Sequence, residues 1–160
     1  MDDLEVAGYF VLRILAALGM GVANGIERQM GQHPAGEGTN ALVCLGSELF
    51  VSLTSLMGGN DSPTRIAAQI VSDIGFICGG AILREGINVR GMNTAATIWC
   101  TSAIGTLIGA ERILLAFLGT VAIIASHLVF RPIAHYIDRY TQGKGEMELL
   151  CEVKVVCQRS

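Results

Sequence analysis

Residues 83–100 read LREGINVRGMNTAATIWC. Two arginines, a glutamate and two asparagines crowd between positions 84 and 93, and long apolar runs lie on either side. The run before the turn is IAAQIVSDIGFICGGAIL, residues 66–83; the run after it is TIWCTSAIGTLIGA, residues 97–110. A spanning helix needs ~20 mostly apolar residues, and both runs approach that length. A short polar turn between them is the pattern of a chain that reaches the edge of a membrane and re-enters it.

Read outward from the turn, the pattern repeats. Five stretches have the length and character of membrane helices, at about 6–26, 39–57, 64–83, 93–110 and 112–130. The second is diluted by serine, threonine and Glu48, and only Glu111 and Arg112 separate the fourth from the fifth. The sequence therefore predicts an all-α fold, a polytopic membrane helical bundle of about five transmembrane helices over residues 1–130. A soluble helical bundle is the rival, and it requires a polar face on each helix.

Composition agrees with the membrane reading. Mean hydropathy is +0.52 and only 16% of residues are charged, which is apolar for a soluble domain. Net charge is −3 and no basic stripe appears, so a nucleic-acid partner is not expected. The acidic start MDDLEVAGYF lacks the basic front of a signal peptide, so the first run is expected to stay as a helix in the lipid bilayer. Arg28, Arg84, Arg90, Arg131, Arg139 and Lys144 gather on one side of a five-span chain, against Arg65 and Arg112 on the other. The positive-inside rule then places the N-terminus outside (periplasmic) and the C-terminus in the cytoplasm. Residues 131–146 are expected to form a cytoplasmic interfacial linker. Residues 147–160 contain MELLCEVKVVCQ, where Cys151, Val153, Val155 and Cys157 alternate onto one face. That reads as the first strand of an incomplete cytoplasmic domain.

Three G-x-x-x-G pairs, Gly21 with Gly25, Gly75 with Gly79 and Gly105 with Gly109, suit close helix packing in lipid. A homo-oligomer is left open. None of the five cysteines has metal-ligand or C-x-x-C spacing, so free thiols are expected, with Cys100 packed in an apolar setting.

The polar turn carries the main candidate site. Asn93 is placed to cap the fourth helix, and Asn93, Thr97 and Cys100 fall at i, i+4 and i+7 along one face. The positive end of the helix, with Arg84 and Arg90 beside it, could hold a phosphate, a lipid headgroup or a partner's carboxylate. Plain capping and anchoring would explain the same residues. Glu27 and Arg28 end the first helix on the same side, as a possible rim pair or a solvated boundary. Glu48 and Asp73 fall within apolar spans, where ionisable groups tend to mark ion or proton paths. A divalent-cation site or a shared proton is one reading, with Arg13 as a candidate partner; incidental neutral acids are the other. His127 reads as interfacial and Trp99 as packing. No nucleophile–base pair, phosphate loop or H-E-x-x-H motif is present, so neither an enzyme nor a cofactor is expected.

The block SPTRIAAQIVSDIGFICGGAILREGINVRGMNTAATIWCTSAIG, residues 62–105, with GIERQ at 25–29 and GTNALVCLG at 38–46, resembles the MgtC/SapB family of bacterial inner-membrane proteins. The resemblance runs from about residue 11 to 131. It implies a multi-span architecture, followed in longer members by a cytoplasmic ACT-like α+β domain whose first strand MELLCEVKVVCQ resembles. It also implies a regulator and virulence factor, supporting growth under magnesium limitation and survival inside macrophages, without magnesium transport. The partner it implies is other membrane machinery, notably the F-type ATP synthase. Asn93 and Cys100 match the family's functional asparagine and cysteine. The chain departs from the family pattern at Asn24, at Glu37–Gly38, at Glu48 and Asp73 (usually Ala or Gly), and at Glu111–Arg112 (usually apolar).

Overall fold

A computed structural model describes residues 3–30, 35–56, 63–85 and 88–130. The expected linker 131–146 and strand 147–160 lie outside the described residues. The chain divides into two units, 1–124 and 125–160. Everything below concerns the first unit, apart from the end of the last helix.

Five helices follow the five apolar stretches: α1 Asp3–Met30, α2 Glu37–Leu56, α3 Pro63–Ala81, α4 Met92–Gly109 and α5 Ile113–Phe130. The polar turn is more than a turn. Residues Leu83–Glu85 (β1) and Asn88–Arg90 (β2) pair antiparallel, with Leu83 opposite Arg90. An all-α reading therefore needs correcting by this one small hairpin. It delivers the chain to Gly91, whose φ of 93° is left-handed. A Cβ there would overlap the Ala81 carbonyl, so only glycine lets the chain pass this close to the end of α3.

Gly91, not Asn93, is the N-cap of α4, and no side chain caps that end. The expected capping role of Asn93 is corrected. The sharp left-handed entry at Gly91 starts the helix two residues earlier, which puts Asn93 inside the first turn.

α4 sits at the centre, packed against α1, α2 and α3. Two glycine pairs make the close crossings. A Cβ on Gly21 would lie 2.7 Å from Ala41 Cα, and one on Gly25 2.7 Å from Glu37 N, so this pair lets α1 lie on α2. A Cβ on Gly105 would lie 2.9 Å from Ser47 Cβ, and one on Gly109 2.9 Å from the Glu48 carbonyl oxygen, so this pair lets α4 lie on α2. Among the described residues, nothing lies within 4 Å of the Cβ positions of Gly75 and Gly79 on α3. Arg28 bonds to Thr94 and Arg13 to Gly109. Both pairs are fifteen residues apart along their helices, so α1 and α4 run antiparallel in register over about 22 Å.

The bundle is apolar outside and polar inside. On α2, Leu42, Phe50 and Leu53 are exposed while Asn40, Ser47, Glu48 and Ser52 are buried. On α4, Met92 and Trp99 are exposed while Thr94, Thr97, Thr101 and Ser102 are buried. Trp99, expected as packing, is half exposed. A soluble bundle would show the reverse. Among the described residues, two helices are long and apolar enough to cross a membrane, α1 over Leu4–Ile26 and α5 over Ile113–Phe130. The inner helices α2 and α4 carry many of the buried polar groups that join the bundle.

Candidate interaction face on helix α4

Polar bonds between helices fix the rotation of α4. Asn40 Nδ2 donates to the Ala35 and Gly36 carbonyls at 2.9 and 3.0 Å, and its Oδ1 accepts from Thr101 Oγ1 at 2.9 Å. Ser47 and Ser102 meet at 2.8 Å. Cys78 Sγ donates to the Ala95 carbonyl at 3.2 Å, tying α3 to α4. Arg28 is 2% exposed, and its Nη2 donates to Thr94 Oγ1. Buried polar groups need partners within the protein, so each bond resists rotation of α4.

With one face of α4 committed inward, the opposite face is determined. Asn93, Ala96, Ala103 and Ala110 are exposed, and Cys100 is half-buried beside them. These residues recur at the three- and four-residue spacing of one helical stripe. Exposed Met92 and Trp99 lie among these alanines, so the outward face mixes small residues with two large apolar ones, and Asn93 and Cys100 lie along its border.

Thr97 does not belong to this face. It is 2% exposed, and its Oγ1 donates to the Asn93 carbonyl at 2.8 Å. The expected i, i+4, i+7 trio is corrected to a stripe of Asn93, Ala96, Cys100 and Ala103. Asn93 and Thr97 lie ~40° apart around the axis, enough for one to face out and the other in. Arg84 lies on β1 and Glu27 on α1; Arg90 is exposed. Arg28 is taken into the bundle rather than left at the rim.

A second polar cluster closes the other end. Arg13 of α1 lies 3.3 Å from Glu48 of α2, with side-chain exposures of 5% and 0%. Arg13 Nη2 also donates to Ser52 and, at 2.7 Å, to the Gly109 carbonyl at the end of α4. Ser52 Oγ donates to Glu48 Oε1 at 2.6 Å. Glu111, in a left-handed conformation with φ of 63°, lies 3.5 Å from Arg13 and is mostly exposed. Glu48 and Glu111 thus converge on one arginine. Sequence reading singled out Arg13 and Glu48 but missed Ser52 and Glu111. The available signal for Ser52 was its place one turn after Glu48.

Glu48 and Asp73 do not form a joint site. Glu48 is neutralised by Arg13, whereas Asp73 is exposed on α3 with Gln69 Nε2 at 3.5 Å. Among the described residues, no group of three or more His, Cys, Asp and Glu could hold a metal. Cys44, Cys78 and Cys100 are free thiols.

The apolar exterior and the two helices long and apolar enough to cross a membrane suit a membrane protein. The MgtC family profile matches residues 14–136, and the chain belongs to that family. It is 45% identical to Protein MgtC of Brucella abortus over 133 residues, 83% of this chain and 56% of that protein. It is 44% identical to Protein MgtC of Salmonella choleraesuis over 160 residues, 99% of this chain and 68% of that protein. An uncharacterized protein of Synechocystis sp. is 43% identical over 92% of this chain and 63% of its own length. The chain thus spans about 56–68% of the length of these relatives. No solved structure matches.

Proposed function

We propose that this chain is an MgtC-like regulator of the bacterial inner membrane, crossing the bilayer five times with its N-terminus outside and residues 131–160 in the cytoplasm. It acts by contact rather than catalysis. The face of α4 carrying Asn93 and Cys100 docks against a membrane-embedded partner, such as a subunit of the F-type ATP synthase. The outcome is growth under magnesium limitation and survival within macrophages. The observation that carries this reading is the exposure of Asn93 at the border of the outward face of α4, while the described bonds of Thr94, Thr101 and Ser102 to other helices point inward. A cation conductor built on Glu48 and Asp73 loses its support, because Arg13 neutralises one carboxylate and the other faces away from the bundle.

Asn93→Ala is expected to impair growth at low magnesium while membrane abundance holds. Asn93 is not the helix cap, so its replacement by a better helix former costs the fold a few tenths of a kcal/mol at most. Loss of a hydrogen bond to a partner helix, about 0.6–2 kcal/mol, would weaken the complex roughly three- to thirtyfold. Cys100→Ala, on the same stripe, should share the phenotype, whereas the interior Cys44→Ala should not. Immunoblots beside growth curves test this; if Asn93→Ala lowers abundance in step with growth, the face has no separate role.

The orientation has its own test. Cysteines introduced at Asn60 and Gly143 should differ in intact cells, the first labelling with an impermeant maleimide and the second shielded. The opposite result inverts the topology.

A further inference from the structure

The outer face of α3 is open. Among the described side chains of this helix only Ile74 is buried, and Phe76 is 89% exposed. Arg65, Gln69, Ser72, Phe76 and Gly79 are all exposed and follow one another at spacings of four, three, four and three. That is the period of a seam between two helices. Gly75 and Gly79 have open space at their Cβ positions, although the other two G-x-x-x-G pairs each receive a neighbouring helix. Gln69 and Asp73 also look outward, and on a membrane helix polar side chains should find protein rather than lipid.

From this face we infer that two copies of the chain pair in parallel through α3. The inference rests on the five-span reading, which inserts every copy in the same direction and places equal residues at equal depth. A two-fold axis along the membrane normal then joins identical faces. The occupant follows from self-complementarity. In a parallel seam a knob enters the hole made by four residues of the facing helix. For Phe76 that hole consists of Ser72, Gly75 and Gly79 of the second copy, with its Phe76. A large exposed ring meets a hole of small residues, and each copy supplies both. Gln69, one heptad toward the start of the helix, meets its own copy; a carboxamide both donates and accepts, so this pair satisfies itself. Ser72 of one copy is placed to donate to Asp73 of the other. Arg65, next to the helix start, can reach out to water.

The test is oxidative crosslinking in native membranes, with wild-type protein giving the baseline of the natural cysteines. Ser72→Cys is expected to form at least tenfold more disulfide-linked dimer than Ile77→Cys, which is exposed but off the seam. Adding Gly79→Leu should cut the Ser72→Cys dimer at least tenfold without lowering abundance, since none of the described residues lies against that glycine. Alkaline carbonate extraction is run in parallel. Protein that stays in the membrane but shows equal or no crosslinking at the two positions overturns the dimer and leaves the five-span reading intact. A Ser72→Cys crosslink to a different protein also overturns it. Extraction of the wild-type chain by carbonate would overturn the five-span reading, and the dimer with it.

Discussion

Gly105→Leu is expected to leave little folded protein in the membrane, whereas Gly75→Leu should accumulate like wild type. Both are central glycines of a G-x-x-x-G pair on an apolar helix, and sequence pattern does not separate them. A Cβ at Gly105 would overlap the Cys44 carbonyl oxygen and come within 2.9 Å of Ser47 Cβ, while one at Gly75 would meet nothing within 4 Å. The obstacle at 105 is the backbone of α2, which no side-chain rotation can clear. Overpacking a core typically costs ~1–3 kcal/mol. Here α4 must also move away from α2, which strains the Ser47–Ser102 and Asn40–Thr101 bonds, each worth ~1 kcal/mol. A total of about 3 kcal/mol or more lowers the folded fraction by roughly two orders of magnitude. Abundance by immunoblot and melting in detergent would report it. Equal behaviour of the two variants would mean that α4 does not cross α2 at this glycine.

Arg13→Met is expected to be the most damaging single change at a charged residue, and Glu48→Gln a milder one. Removing the arginine leaves Glu48, fully buried, without its counter-charge; breaking a buried pair in this way costs ~3–5 kcal/mol. Removing the carboxylate charge leaves Arg13 with Ser52, the Gly109 carbonyl and Glu111. That loss is nearer the ~1–3 kcal/mol of a hydrogen bond to a charged group. Glu111 adds little by itself, because it is mostly exposed and exposed pairs are worth under ~1 kcal/mol. Arg13→Met combined with Glu48→Leu should be more stable than Arg13→Met alone, since no orphaned charge remains. Melting temperatures of the three variants in one detergent decide the point. If the double variant falls by the sum of the two singles, the residues act independently and the pair does not hold α1 to α2.

Much of the architecture was legible because apolar helices are written in single, unbroken runs of sequence. The expected spans 39–57 and 93–110 fall within two residues of α2 and α4 at both ends. The turn at 84–93 was recognised as a re-entry point, although its hairpin was not: three-residue strands are too short for a period to show. The rotation of α4 was only partly legible. Asn93 and Cys100 lie on an outward stripe of α4, but Thr97, chosen with them by helical spacing, is interior. Spacing gives the angle between residues on a helix and does not say which angle faces out.

What the sequence determined by itself is the number of helices, their order and limits, and the family, since each depends on the local run of apolar residues. Only the tertiary structure decided which groups meet. The carboxylate of Glu48 joins α1 rather than α3, Asp73 turns outward, and two of three identical glycine motifs take a neighbouring helix while the third stays open. The physical reason is that an apolar run specifies transfer out of water, which is non-directional. The rotation of a helix about its axis is set by a few short-range bonds and close contacts between residues far apart in the chain.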